Sequence, residues 1–151
     1  ATDKISDDLA ERSKELLVKA GFKSVRQETL VKGGTQSTPI FNDYYISEIP
    51  VCQLSVKSNR DGSFHYNLGR ALAALKDEGV LILGLTKHLV PLWDKAFDEW
   101  LSERLLNNRF NEEMIMEFEK RMDHNAQGLY PLFVALGAAG EGAIAERFHD
   151  G

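Results

Sequence analysis

The side chains able to move protons or orient a ligand fall into three short stretches. Residues 31–38 carry Thr35 and Gln36, residues 57–66 carry Lys57, His65 and Tyr66, and residues 84–90 carry Lys87 and His88. Imidazole titrates near neutrality, so His65 and His88 have the chemistry of general acids and bases, with Lys87 and Tyr66 beside them to orient or protonate a substrate. Two readings stay open for these stretches: a small-molecule site, or a set of solvated loops. Metal ligation is not expected from spacing. The four histidines, His65, His88, His124 and His149, form no His-x-His or His-Glu-x-x-His pattern, and there is no cysteine pair. Cys52 sits in an apolar run, where a thiol is usually a small buried hydrophobe. The run Gly137-Ala138-Ala139-Gly140-Glu141-Gly142 looks like a nucleotide loop but follows a helical pattern instead of a strand, and so reads as a helix end and turn.

Regular elements must position these groups. Residues 6–20 predict a helix, with Ser6 or Asp7 as its cap, Asp7, Asp8 and Glu11 in its first turns, Ile5, Leu9, Leu16 and Leu17 on its apolar side, and Gly21 as terminator. A short strand is expected over 22–30, a loop over 31–38, and a second strand over 49–56 with Pro50 at its entry. Asp61-Gly62-Ser63 reads as a turn and cap before a helical stripe of Phe64, Leu68, Leu72 and Leu75, closed by Gly79. Val80-Leu81-Ile82-Leu83 then reads as a strand buried on both faces, and strand–helix–strand at this spacing is a parallel crossover.

Three more helices are expected over 91–106, 111–122 and 125–139. The stripes Trp93, Phe97, Trp100, Leu101 and Met114, Ile115, Phe118, Met122 face a core, and Glu117 to Arg121 form a solvated face with a local i,i+4 charge pair. The predicted class is α/β: a small, mostly parallel sheet with flanking helices. In such a sheet ligands bind outside the carboxyl ends of the strands, the edge that the three stretches reach.

Composition sets the outer bounds. A chain of 151 residues with 43% apolar and 27% charged residues suits one globular domain spanning 1–151. With 18 basic against 23 acidic residues the net charge is −5, which argues against a nucleic-acid partner. The single cysteine excludes an internal disulfide and fits a reducing compartment. No apolar run is long enough for a membrane span or a signal-peptide core, so a cytoplasmic location without a membrane partner is expected.

Three ordered motifs carry a family resemblance. Ile49-Pro50-Val51-Cys52-Gln53-Leu54-Ser55-Val56, His65-Tyr66-Asn67-Leu68-Gly69-Arg70-Ala71-Leu72 and Lys76-Asp77-Glu78-Gly79-Val80-Leu81-Ile82 resemble the class III extradiol ring-cleavage (LigB-like) dioxygenases, nearest to their plant DOPA dioxygenase branch. Phe97-Asp98-Glu99-Trp100-Leu101, the run from Tyr130 to Gly142, and Lys19-Ala20-Gly21-Phe22-Lys23-Ser24-Val25 continue the likeness in order. The resemblance implies the C-terminal part of that fold, a truncated member, in which a non-haem iron would be held by histidines. It also implies that those histidines are missing here. Gly33-Gly34-Thr35 stands where the family has Asp-His-Gly, Val90 where a loop ends in histidine, and Gln127-Gly128 where it has Glu-His. Asp123 falls at an upstream histidine, with His124 one residue away. A 2-His-1-carboxylate site needs its ligands to converge, so iron-dependent oxygen chemistry is not expected.

The function implied is a metal-independent enzyme of plant-type specialised metabolism, without cofactor. It would carry out a cyclisation, isomerisation or elimination on a phenolic or alkaloid-like small molecule. His88, Lys87, His65 and Tyr66 are the expected catalytic groups, and Thr35, Gln36, Tyr44, Gln127 and Tyr130 the expected substrate-orienting ones. The alternatives are a non-catalytic binding or regulatory protein and a residual dioxygenase that borrows ligands from a partner chain. An uncovered strand edge and apolar faces further predict a two-fold homodimer.

Overall fold

The computed structural model describes residues 2–22, 30–32, 52–54, 60–85, 95–107, 110–122 and 129–147, with the backbone alone for 2–6, 30–32, 95–98 and 122. The chain divides into two compact units, Ala1–Lys57 and Ser58–Gly151.

In the first unit, helix α1 (Thr2–Lys19) begins before Ser6, so the expected capping role of Ser6 or Asp7 gives way to a longer helix. Its buried face is Ala10, Ser13 and Leu17, at the three- and four-residue spacing that brings side chains onto one side. Ser13 lies there because its hydroxyl donates to the Leu9 carbonyl one turn back, at 2.8 Å. Gly21, at φ +95°, stops the helix as expected. The Phe22 amide bonds to the Leu17 carbonyl and the Gly21 amide to the Val18 carbonyl, satisfying two of the acceptors in the last turn.

Strands β1 (Leu30–Lys32) and β2 (Cys52–Leu54) pair antiparallel, with Val31 opposite Gln53, and α1 packs on both. Val31 and Lys32, expected in a loop, belong to β1 instead. Along β2, Cys52 and Leu54 are half-buried while Gln53 is exposed, the two-residue alternation of a strand with one face covered. Residues 33–51 lie outside the described residues, as do 23–29 and 55–59.

The second unit is helical. Helix α2 (Gly62–Ala71) starts where Asp61 caps it, its Oδ1 accepting from the Phe64 amide at 2.8 Å. A 3-10 segment (Ala73–Glu78) follows and ends at Gly79, φ +79°. Then come α3 (Lys95–Leu106), α4 (Glu112–Met122), with the Asn111 Oδ1 accepting from the Met114 amide, and α5 (Tyr130–Ala139). Gly140, at φ +89°, terminates α5, so the glycine run is the helix end and turn expected of it.

Helices α2 and α5 lie backbone to backbone. A Cβ on Gly69 would collide with the Val134 carbonyl, and one on Gly137 with the Tyr66 carbonyl. Around this crossing Tyr66, Leu101, Phe110, Met114, Ile115, Phe118, Leu129, Tyr130, Phe133 and Leu136 form one buried cluster, as the apolar stripes foretold for Leu101, Met114, Ile115 and Phe118. Glu117 does not pair with Arg121 on its own helix. It bonds to Arg104 of α3 at 3.3 Å, while Arg121 lies over the Trp100 ring at 4.5 Å, because the third helix offers both a better-placed cation and an aromatic face.

The α/β class holds only in its coarse sense. The one ladder among the described residues is antiparallel, and no parallel sheet is present among them. The expected strand at 80–83 carries no ladder. Val80 and Ile82 are half-buried, but Leu81 is 79% exposed and Leu83 50%. An apolar run supplies side chains for a strand but not the backbone partner that makes one. No helix among the described residues is long and apolar enough to cross a membrane.

Candidate functional site

Three of the expected site residues, His65, Tyr66 and Tyr130, lie in the second unit and meet at the α2–α5 crossing. Thr35, Gln36, Tyr44, Lys87, His88 and Gln127 lie outside the described residues.

His65 is one turn into α2, which brings its Nδ1 within 2.7 Å of the Asp61 carbonyl. A carbonyl only accepts, so Nδ1 carries the proton and donates it there. The ring stacks on Tyr130 with centroids 4.0 Å apart and planes 15° from parallel, and meets the edge of Phe64 at 5.2 Å. It is fully buried. Burial holds its pKa below the ordinary histidine range; the Asp61 carbonyl and charge pull it back up, and Arg60 pushes it down. The resulting group is a neutral, sealed imidazole that cross-braces two helices.

Tyr66 follows His65 on α2. Its side chain is fully buried, and its hydroxyl has no hydrogen-bond partner among the described residues. Burial raises its pKa, Glu141 and Glu112 add to that, and Arg70 opposes them, so the phenol stays protonated. Tyr130 is likewise held protonated by burial, Glu119 and Asp61. Its ring serves as the stacking platform for His65 and packs against Phe133 at 6.2 Å.

Two contributors were not legible as such. Asp61 reads in the sequence as a cap only, yet its carbonyl also sets the His65 tautomer. Glu119 reads as part of a solvated face, but its Oε1 comes so close to Gly62 that a Cβ there would stand 2.9 Å from it. The signal was available: Glu119 lies four residues after the buried Ile115, and so on the same side of α4. Gly84 matters for a similar reason. A Cβ on it would collide with the Pro131 carbonyl, so this glycine seats the segment leading to Lys87 and His88 on the first turn of α5.

Cys52, on the edge of the other unit, is half-buried, and burial pushes its thiol up, away from nucleophile chemistry. Among the described residues no three His, Cys, Asp or Glu side chains gather as a metal site requires. The resemblance places Gly34, Val90 and Gly128 at family histidine positions, and none of the three has a side-chain donor to offer. The described histidine, His65, is locked into a stack.

The chain matches the family model "Catalytic LigB subunit of aromatic ring-opening dioxygenase" over residues 2–150. It is 41% identical to the 4,5-DOPA dioxygenase extradiol of Beta vulgaris, over 96% of this chain and 60% of the relative. The enzymes of the same name from Mirabilis jalapa and Portulaca grandiflora are each 36% identical, covering 94% and 93% of this chain and 59% of either relative. The chain thus spans about three fifths of the length of these relatives. With a family match along nearly its whole length, it belongs to the LigB family of aromatic ring-opening dioxygenases.

Proposed function

We propose that this chain is a LigB scaffold on which ring opening has been lost and a metal-independent reaction on an aromatic or alkaloid-like small molecule has taken its place. The relatives are named for extradiol cleavage of DOPA. That reaction needs converging iron ligands, and the reading that puts Gly34, Val90 and Gly128 at family histidine positions leaves none of them there. Cyclisation, isomerisation or elimination needs only positioning and an acid–base pair.

The observation that carries the reading is the seat of Gly84 on Pro131. It ties the segment that continues into Lys87 and His88 to the first turn of α5, the helix that the chain enters from Gln127. Lys87 and His88 are the acid–base groups of this proposal, with Thr35, Gln36, Tyr44 and Gln127 orienting the ligand. His65, Tyr66 and Tyr130 hold the frame. The location proposed is the cytoplasm, and the assembly a homodimer joined through the uncovered Leu81 and Leu83.

Turnover of a panel of phenolic and alkaloid-like compounds tests the reading, wild type against His88→Ala. Conversion that falls at least about 100-fold in the variant is expected for a lost general acid or base. Bound iron at one per chain, with catechol opening under air, would overturn it. A second reading is a non-catalytic binding protein, with which the burial of His65 and Tyr66 accords. Ligand binding without turnover in wild type would select it.

A further inference from the structure

We infer that residues 81–85 are a strand edge that pairs with the same residues of a second copy of this chain, antiparallel about a two-fold axis at Leu83. The inference rests on the homodimer proposed above and states how its two chains meet. Residues 81–85 carry no helix, turn or ladder, and none of their amides or carbonyls joins a backbone hydrogen bond among the described residues. Such unpaired groups are a template for another chain. The run has a fixed beginning, because the Val80 amide is already bonded to the Leu75 carbonyl at 3.1 Å. Its side chains alternate as those of a strand with one face covered do. Val80 and Ile82 are half-buried and Gly84 is seated on the Pro131 carbonyl of α5, whereas Leu81, Leu83 and Leu85 are exposed.

Charge selects the occupant and its direction. The stretch from Gly79 to Leu85 has no charged residue, with the exposed pair Asp77-Glu78 just ahead of it and Lys87-His88 just behind it in sequence. Lys76 does not offset that acidic pair at the edge, since its Nζ donates to the Ala139 carbonyl at the end of α5. Two antiparallel copies bring the acidic end of one run to the basic end of the other, while parallel copies would set like charges together. One patch then serves both chains, as a two-fold interface requires. The register follows from the faces. Residues directly opposite in a ladder share a face, so exposed leucines must meet exposed leucines. A ladder that begins at Leu81 and is centred on Leu83 pairs the whole run. Leu81 meets Leu85 of the partner subunit, Leu83 meets Leu83 of the partner subunit, and Ile82 meets Gly84 of the partner subunit on the side that faces α5. Centring on Ile82 would spend Leu85 on Gly79 of the partner subunit, ahead of the bonded Val80 amide.

Single cysteines in a Cys52→Ser background, oxidised with glutathione disulfide, read this register. Leu83→Cys is expected to give a disulfide-linked dimer. Leu81→Cys and Leu85→Cys are each expected to stay unlinked alone, because two copies of either position stand about 13 Å apart along the strands. An equal mixture of those two variants is expected to link. Amide exchange of the wild-type chain reads the ladder without any substitution, and so decides the matter even if a variant does not fold. At about ten times the dimer dissociation constant, alternate amides within 81–85 are expected to exchange about tenfold more slowly than in the dilute chain. A dimer by sedimentation whose 81–85 amides stay unprotected, or whose Leu81→Cys variant links to itself, would overturn this pairing and leave the homodimer standing. A chain that remains monomeric throughout the micromolar range would overturn both. None of these readouts depends on turnover, so the pairing and the proposed reaction stand or fall separately.

Discussion

The segment at 80–85 is at least as apolar as the α2–α5 crossing, and the two reach opposite outcomes. At the crossing, Gly69 and Gly137 let the two backbones touch, and Tyr66, Phe133 and Leu136 are buried. In the segment, Leu81, Leu83 and Leu85 stand 79%, 50% and 49% exposed. Hydrophobicity is therefore not what separates them. The helices satisfy their own backbone hydrogen bonds and need only a face to pack, while a strand needs a neighbour for its backbone before its side chains can be covered.

Gly137→Val breaks the stronger side of this contrast. Its side chain has no room against the Tyr66 carbonyl, so a loss of more than about 3 kcal/mol in chemical denaturation is expected, beyond ordinary overpacking. Tyr66→Phe probes the same crossing with the opposite sign. It removes a buried hydroxyl without a partner and leaves the ring, and a gain of about 1 kcal/mol, seen as a higher denaturation midpoint, is expected. Leu81→Ser tests the weaker side. Its effect on the stability of the monomer should stay within about 0.5 kcal/mol, since the side chain is already in water. Sedimentation of that variant sharpens the comparison, because a dimer joined through Leu81 should dissociate at lower dilution than wild type.

Much of the helical architecture was legible because its signals are local. Asp61 before Phe64, Gly21, Gly79 and Gly140 at helix ends, and the Met114, Ile115, Phe118 stripe each act within a turn or two. The candidate site was less legible. His65 reads as a proton carrier from its type alone, while its stack on Tyr130 and its bond to the Asp61 carbonyl come from the fold. Glu117 likewise reads as a partner for Arg121 until α3 brings Arg104 within reach.

What the amino-acid order alone determined was most of the helices, their glycine stops, the Asp61 cap and the family. Propensity, capping and donor chemistry are properties of a residue and its near neighbours. Only the tertiary structure decided that β1 and β2 run antiparallel, that residues 80–83 lack a ladder, and that His65 is sealed against Tyr130. Ladders, burial and the pKa of a buried ring depend on groups far away in sequence, and those are brought close only by folding.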